Sequence, residues 1–194
     1  MMLDVLKSNI DVIQDSCLSI DPSLYNELLA NCCHALKNGN KIIFSGLGKN
    51  VPVCEKIVAS MISIGLNAVF MDSNTAVHGD LGLIKENDVV ILLSKSGLTP
   101  ESIHLANILI KRKNLILWSI TFNEKGLAES FSNNIVLKLS AEGDMWNVLP
   151  MNSVVVYLIL LHNLIVDIAK ELKVSKECFI GNHPGGGIGL LNKK

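Results

Sequence analysis

The sequence predicts an α/β protein, built as a three-layer α/β/α sandwich around a five-stranded parallel sheet. Five short apolar runs alternate with longer segments of helical periodicity, which is typical of a parallel sheet covered on both faces. The runs are also continuously hydrophobic, as expected for strands that are buried on both sides. With 194 residues, 49% of them hydrophobic, the chain is long enough to form one large core.

Two helices are predicted before the sheet. Apolar residues recur at intervals of three and four from Leu3 to Ile13 and again from Leu24 to Cys32, which is the spacing of amphipathic helices. Between these stretches, Asp21 supplies an N-cap and Pro22 a first-turn proline for the second helix. Residues 1–38 are therefore expected to form N-terminal helices.

The predicted strands follow the turn at Asn38-Gly39-Asn40. They are the runs KIIFS from Lys41, NAVFM from Asn67, DVVILLS from Asp88, NLILWSIT from Asn114 and NIVLKL from Asn134. Helical periodicity between these runs predicts crossover helices, which are the usual connections between parallel strands. Residues 39–174 are expected to form the α/β core.

The longest apolar segment is VVVYLILLHNLIVDIA, from Val154. It is interrupted by His162, Asn163 and Asp167 and falls short of the roughly 20 residues that span a bilayer. We therefore predict a central core helix and no membrane partner. Residues 175–194 include CFIGNHPGGGIGLLNKK, which is too rich in glycine for a helix and is expected on the surface or against another subunit. The chain, residues 1–194, is expected to be a single domain.

Charge and cysteine content narrow the class of function. The formal net charge is −1 and the longest basic run is the KRK at Lys111, so the basic footprint of a nucleic-acid-binding protein is lacking. The five cysteines form no CxxC pair, and most lie in apolar helical patterns, as free thiols of a reducing compartment do. The N-terminus lacks the features of a signal peptide. We expect a cytoplasmic protein.

One stretch predicts a phosphate site. SKSGLT, residues 94–99, directly follows the third strand, and ligands of open parallel sheets bind beyond the carboxyl ends of the strands, near helix N-termini. The hydroxyls of Ser94, Ser96 and Thr99 would add hydrogen-bond donors to the helix-end amides, and the glycine would let the backbone approach a ligand. A plain helix N-cap before Pro100 is the commoner structure for such a stretch, but two hydroxyls beyond the cap favour the phosphate site.

A second loop, SGLGKN, follows the first strand and is expected to add Ser45 and Gly48 to the phosphate site. It lacks the full glycine spacing of a dinucleotide fingerprint. It also lacks the GK-Ser/Thr ending of a P-loop. NAD and ATP are therefore disfavoured as ligands.

Three further stretches place acidic, imidazole and aromatic side chains in predicted loops. They are AVHGDLG with His78 and Asp80, SAEGDMWNVLP with Glu142, Asp144 and Trp146, and GNHPGGGIG with His183. Each stretch alone fits an ordinary turn, but their predicted convergence at one edge of the sheet makes them candidates for a site. His78, Asp80 and His183 are possible metal ligands, yet their spacing matches no metal motif, and no metal is predicted.

SGLGKN, HGDLG, LSKSGLT and HPGGGIG occur in this order and resemble the motifs of the sugar isomerase (SIS) domain. HGDLG with HPGG is similar to the arabinose 5-phosphate isomerase branch, and the similarity runs from about Lys41 to Leu191. The resemblance implies a flavodoxin-like SIS fold. It also implies interconversion of D-arabinose 5-phosphate and D-ribulose 5-phosphate without a cofactor. This reaction would feed the synthesis of Kdo for lipopolysaccharide or capsule. The resemblance implies that S-x-S-G-x-T cradles the phosphate. It also implies a homotetramer with shared active sites, and we expect His183 to reach a neighbour's site.

The resemblance assigns five side chains to catalysis. They are Lys49, His78, Glu101, Glu142 and His183. Isomerisation through an enediol needs a base for carbon, a proton shuttle between the oxygens and stabilisation of charge, which carboxylates, imidazoles and an ammonium supply. Lys49 would stabilise the enediolate or bind the phosphate. Glu142 with His183 is the preferred acid/base pair, although Glu101 or His78 could exchange roles with them.

The chain departs from the family pattern at several positions. Asn50 stands where serine is usual, and Leu98 stands where glutamate is common. Trp146 and Met151 lie in a loop that usually carries small residues, so they are expected to reshape the sugar pocket. Many relatives carry CBS domains after HPGG, whereas this sequence ends at Lys194 and is expected to be a stand-alone SIS domain.

Two alternatives remain open on the sequence. The first is an isomerase of another phosphosugar, such as a hexulose 6-phosphate or a heptose phosphate. The second is a non-catalytic SIS sensor of a phosphosugar or of CMP-Kdo. Regulators of this kind usually carry a DNA-binding segment, and the first helices here contain no basic helix-turn-helix pattern. A pure sensor would also need no acid/base groups, so their presence favours the enzyme.

Overall fold

A computed structural model describes residues 2–190 of the chain. In this part of the chain, helices α1 (Met2–Leu18) and α2 (Pro22–Lys37) precede a sheet of five parallel strands. The strands are β1 (Ile42–Gly46), β2 (Ala68–Asp72), β3 (Val89–Ser94), β4 (Ile116–Thr121) and β5 (Asn133–Val136). Their order across the sheet is β2-β1-β3-β4-β5. The predicted α/β fold with a five-stranded parallel sheet is confirmed.

Further helices connect and follow the strands. They are α3 (Asn50–Ser63), α4 (Pro100–Leu109), α5 (Leu127–Ser130), α6 (Asn152–Glu171), α7 (Lys176–Gly181) and α8 (Gly186–Gly189). The connection from β2 to β3 contains two short 3-10 segments, Ala76–His78 and Asp80–Leu83. The predicted cap of α2 is present, since the Asp21 carboxylate accepts a hydrogen bond from the backbone N–H of Ser23 at 2.8 Å.

The core lies on both faces of the sheet because successive side chains of a strand point to opposite sides. On β3, Val89, Ile91 and Leu93 face a layer formed by α2, α3 and α6. Val90 and Leu92 face the opposite layer, which contains α4 and α5. This arrangement is the three-layer sandwich that the continuous apolar strands predict.

Helix α6 is longer than the apolar segment of the sequence that predicts it. It has 20 residues, so the expectation that the apolar segment is too short to span a bilayer is wrong, and length and composition alone would allow this helix to cross a membrane. Half of its most apolar window is nevertheless buried inside the protein. The buried Tyr157 also donates its hydroxyl to the carbonyl of Ile120 in β4 at 3.1 Å. These contacts confirm the core helix.

The expectation that the glycine-rich C-terminal segment contains no helix is also wrong. Helix α7 starts at an effective N-cap, because the Ser175 hydroxyl accepts a hydrogen bond from the N–H of Cys178 at 3.1 Å. It ends at Gly181, before most of the glycines, and α8 is a single turn among them. The tail after residue 190, expected on the surface or against another subunit, lies outside the described residues.

Candidate functional site

The topology of the sheet creates a crevice at its carboxyl edge. Strands β1 and β3 are neighbours, but the chain leads from β1 to β2 on one side and from β3 to β4 on the other. The loops after β1 and β3 therefore diverge, and the N-termini of α3 and α4 lie beside the gap. Open α/β sheets bind ligands at such a switch point. The two loops singled out in the sequence are the ones that border it.

The loop after β1 is open around Gly48. Gly48 has a φ of +60°, and a Cβ added there would meet no atom of the described chain within 4 Å. Lys49 follows it, exposed, at the start of α3. Asn50, in place of the serine usual in the family, donates its side-chain amide to the carbonyl of Leu93 at 3.2 Å. This contact ties the loop to the end of β3.

Ser45 differs from the expectation for a phosphate ligand. Its side chain is completely buried, and its hydroxyl lies 2.9 Å from the hydroxyl of the equally buried Ser73. The structure therefore places this hydroxyl in a contact between β1 and the loop after β2, and it does not bring it to the open crevice.

The loop after β3 contains the three predicted hydroxyls. Thr99 has the extended backbone of an N-cap residue of α4, but its side chain caps no N–H among the residues that the structure describes. Its hydroxyl instead lies 3.3 Å from that of Ser94. Ser94 and Ser96 accept hydrogen bonds from N–H groups within the loop, at 3.2 Å from Gly97 and 3.1 Å from Leu98. The plain-cap alternative therefore describes the backbone of this loop but not the use of the Thr99 hydroxyl.

The connection between β4 and α5 fixes the shape of the SKSGLT loop. The N–H of Phe122 donates to the carbonyl of Lys95 at 3.0 Å, and the N–H of Leu127 donates to the carbonyl of Gly97 at 2.9 Å. Gly97 has a φ of +66°, and a Cβ there would lie 2.7 Å from the carbonyl oxygen of Lys125. Only glycine meets both conditions, because any other residue would be strained and would clash.

Glu142 is held by four donors. Its side chain is only 1% exposed. One carboxylate oxygen contacts the Lys95 ammonium at 2.5 Å and the Ser153 hydroxyl at 2.6 Å. The other oxygen accepts the N–H groups of Met151 and Ser153, at 2.9 and 3.0 Å. An ionised carboxylate has about four acceptor positions, so these donors occupy all of them.

These contacts set the ionisation of Glu142. Burial by itself would raise its pKa, but the hydrogen bonds from Lys95, Ser153 and the backbone outweigh burial, so the pKa is lowered from its usual value. Two of the donors are N–H groups at the start of α6, where the helix dipole also favours a negative charge. Glu142 is therefore an anion at neutral pH.

Glu142 and the other predicted acids do not share one cleft. One cleft of about 340 Å³ lies towards β4 and β5. Its lining includes Glu142, Lys95, Ser96, Asn123 and Asn147. A second cleft of about 340 Å³ lies towards β2. It brings together two predicted residues, His78 and Glu101, and one residue that was not predicted, His104. The rest of its lining consists of Ser73, Asn74, Val77 and Pro100. The SKSGLT loop separates the two clefts, because β3 stands between the strands that border them.

His183 lies far from these clefts within a single chain. Its Nδ1 is 2.7 Å from the carbonyl oxygen of Phe179, and the two rings pack at 4.3 Å between centroids. The neighbouring Asn182 donates to the carbonyl of Ser63, the last residue of α3, at 3.3 Å. Lys49 marks the other end of this 14-residue helix, about 20 Å away at 1.5 Å per residue. One chain therefore does not bring His183 to its own Glu142.

The remaining candidates organise loops. The Asp80 carboxylate accepts a hydrogen bond from the Thr75 hydroxyl at 3.3 Å. The Asp144 carboxylate accepts the N–H groups of Trp146, Val148 and Leu149 at 2.9 to 3.0 Å. This loop leaves the side chain of Trp146 66% exposed. Within residues 2–190, the structure contains no group of three His, Cys, Asp or Glu side chains that could hold a metal ion.

Sequence reasoning missed Lys95, Ser153 and His104. Lys95 had a usable signal, since it stands between the two serines of the predicted phosphate loop. Ser153 and His104 had a weaker one, because each is an ordinary residue of an apolar helix in the sequence. Their contribution depends on contacts between distant segments, which periodicity does not report.

A comparison with known protein families shows to which family this chain belongs. The family model of the SIS domain matches residues 35–167. The chain belongs to the SIS-domain family. This SIS domain contains all the helices and strands that border the two clefts, and the predicted family membership is confirmed.

Known relatives of this SIS domain include enzymes of sugar-phosphate metabolism. The arabinose 5-phosphate isomerase KdsD of Pseudomonas aeruginosa is 32% identical over 177 residues, which cover 91% of this chain and 54% of the relative. An uncharacterized protein of Helicobacter pylori is 36% identical over 161 residues, which cover 81% of this chain and 47% of the relative. The chain spans about half the length of these curated relatives. A protein of E. coli CFT073, solved in complex with arabinose 5-phosphate, has a TM-score of 0.85 at 26% identity, covering 94% of this chain and 95% of that chain.

Proposed function

We propose that this SIS domain is an aldose/ketose isomerase that interconverts D-arabinose 5-phosphate and D-ribulose 5-phosphate. The observation that carries the proposal is the match to the E. coli protein in complex with arabinose 5-phosphate, because it covers nearly all of both chains. The KdsD isomerases of Pseudomonas aeruginosa and Francisella tularensis, 32% and 31% identical, support the same substrate. The product would serve Kdo synthesis, for lipopolysaccharide or capsule.

The phosphate of the substrate would bind at the switch point. There the hydroxyls of Ser94, Ser96 and Thr99 join the N-terminus of α4, and Gly48 leaves open space at the N-terminus of α3. Helix N-termini favour anions because their N–H groups are unpaired and the helix dipole is positive there. Holding the phosphate in this way would orient the reacting carbons, C1 and C2, towards the acid/base groups.

The reaction moves one proton between carbons and another between oxygens. From the aldose, a base removes the proton at C2 while O1 gains a proton, which gives an enediol; O2 then loses a proton and C1 gains one. Glu142 and His183 are the proposed acid/base pair. Imidazole is the side chain best suited to move protons at neutral pH, and the negative charge of Glu142 would stabilise the imidazolium that forms, without a direct hydrogen bond because its acceptor positions are occupied. Lys49 would stabilise the enediolate, and Glu101 and His78 would shuttle the proton between oxygens.

This assignment requires two chains for each site. His183 is held at the end of α3 opposite Lys49, so its own chain does not deliver it to Glu142. Several side chains of α1 and α6 are large, apolar and about half exposed, which suits an interface; they are Leu3, Leu6, Ile10, Val155, Ile159 and Val166. We propose a homotetramer in which His183 completes the site of a neighbour.

The test is an assay of D-ribulose 5-phosphate formed from D-arabinose 5-phosphate by the purified chain. Glu142→Gln and His183→Ala should each lower kcat by about 10²-fold or more, the usual contribution of an acid/base group. Their loss of activity after the same purification excludes a contaminating isomerase, and Glu124→Gln, a matched change at an exposed carboxylate of the loop after β4, should leave kcat unchanged. Absence of turnover, combined with thermal stabilisation by the sugar phosphate, would instead identify a sensor. Turnover only with a hexulose 6-phosphate or heptose phosphate would correct the substrate.

A further inference from the structure

The structure links the phosphate loop to the acid/base site through one ion pair. Lys95 lies in the SKSGLT loop, and its ammonium contacts the Glu142 carboxylate at 2.5 Å. The carboxylate is 1% exposed, whereas the lysine side chain is 38% exposed. The buried member of the pair is thus the acid, and the cation reaches it from the open cleft.

The four donors on Glu142 are not equivalent. Three of them, the two N–H groups and the Ser153 hydroxyl, belong to the start of α6 and are part of the fold. Lys95 comes from a different loop and is the one charged donor to Glu142 in residues 2–190. The backbone of Lys95 is itself anchored, since its carbonyl accepts the N–H of Phe122. The Phe122 ring packs edge-on against Tyr157 of α6 at 5.1 Å.

We infer that Lys95 is a positioning residue for Glu142, which holds the carboxylate as an anion in one orientation at the floor of the cleft. The charges and dipoles around Glu142 agree with this role. Lys95 faces it from the loop after β3, and Ser153 with two amides faces it from α6. The buried Tyr157 hydroxyl on the same helix is directed to Ile120. The Asp144 carboxylate is directed to the amides of its own loop.

The inference deepens the proposed function and rests on it for its kinetic consequence. If the anion is the active form of Glu142, the acidic limb of the pH profile of kcat/KM reports its ionisation in the free enzyme. Lys95 favours the anion, so its loss leaves burial opposed only by the donors of α6. The pKa of Glu142 should then rise, and activity should be lost at a higher pH on the acidic side.

The experiment compares Lys95→Met, Lys95→Arg and Lys125→Met with the wild type. Lys125 is an exposed lysine in the neighbouring loop, so its loss removes the same charge nearby without removing the contact. Two quantities are followed against pH: the carboxyl ¹³C shift of Glu142, assigned with Glu142→Gln, and kcat/KM for D-arabinose 5-phosphate. Lys95→Met should move both titrations up by about 1–3 pH units, the usual effect of an adjacent opposite charge. Lys95→Arg and Lys125→Met should move neither.

The two readouts separate the inference from the proposed function. An unchanged Glu142 titration in Lys95→Met would overturn the inference, whether or not the protein is an isomerase. A shifted Glu142 titration without turnover by the wild type would support the inference and reject the proposed function. A shifted Glu142 titration with an unmoved acidic limb would overturn the kinetic role of the pair. Lys95→Gln replaces Lys95→Met if that variant does not fold.

Discussion

The Lys41 ammonium lies 2.7 Å from the Asp88 carboxylate, which is completely buried. The same carboxylate accepts the N–H of Lys41 at 3.0 Å and the N–H of Lys85 at 2.8 Å. These contacts join the start of β1 to the segment that leads into β3, at the edge of the sheet opposite the candidate site. Asp88 therefore fastens two adjacent central strands in register.

Asp88→Ala should lower the free energy of unfolding by about 3 kcal/mol, because removal of one partner leaves buried donors unsatisfied. Urea denaturation at pH 7 measures the change. Asp11→Ala, at an exposed carboxylate of α1, should change it by less than about 0.5 kcal/mol.

Burial raises the pKa of Asp88, but hydrogen bonds, above all from Lys41, lower it below its usual value. Because the pKa of Asp88 is lower in the folded state, its ionised carboxylate stabilises the fold at pH values above the unfolded-state pKa of about 3.9. The difference between variant and wild type should therefore shrink as the pH falls below about 4.

Gly97→Ala and Gly48→Ala form a matched pair of glycine substitutions. Both glycines have a positive φ, which costs a side chain about 1–2 kcal/mol. A new Cβ at Gly97 would also lie 2.7 Å from a backbone carbonyl, whereas at Gly48 it would meet open space. Thermal and urea unfolding should show a clearly larger loss for Gly97→Ala. Equal losses would show that the contact between the loops after β3 and β4 yields without cost.

Thr99→Val tests the hydroxyl that is not used as a helix cap. The variant keeps the shape of the side chain, so the unfolding midpoint should stay close to the wild type. Loss of a hydrogen bond to a charged phosphate costs about 1.5–3 kcal/mol, so KM for the sugar phosphate should rise by about 10-fold or more. Ser132→Ala, at an exposed serine near the opposite edge, is the control. A lower midpoint with an unchanged KM would assign Thr99 to the helix alone.

Mixing two variants that are expected to be inactive tests the proposed sharing of a site between subunits. Glu142→Gln and His183→Ala subunits, unfolded together and reassembled in equal amounts, would form some sites with an intact glutamate from one chain and an intact histidine from another. Random assembly should restore about a quarter of the wild-type activity, since each site draws its two groups independently from a mixed oligomer. The variants reassembled separately provide the baseline. Activity no higher than that baseline would contradict sharing of His183.

The strands were predictable because their burial leaves a direct mark on the sequence. Runs such as VVILL are apolar throughout only when both faces of a strand are covered, and all five runs are strands in the structure. The short helices α7 and α8 were not predictable in the same way. Glycine content argues against a helix, but a single capping hydroxyl at Ser175 is enough to start one.

The site was predictable in its location but not in its internal contacts. Loop position after β1 and β3 led to the SGLGKN loop and to Ser94, Ser96 and Thr99, because topology places those loops at one edge. Lys49 came from the resemblance to the SIS family. The burial of Ser45 against Ser73 and the pairing of Lys95 with Glu142 depend on which side chains meet across loops. A single sequence does not show which side chains from distant loops contact each other.

The two backbone hydrogen bonds between the SKSGLT loop and the connection after β4 bear on the speed of ligand capture. A loop that the protein itself holds in shape loses little further conformational entropy when a ligand arrives. The rate at which a ligand associates with this loop then depends on diffusion and on the charge of the ligand, because the loop has to rearrange little before it binds. If the loop holds the phosphate as proposed, a sugar phosphate should therefore bind without a slow conformational step.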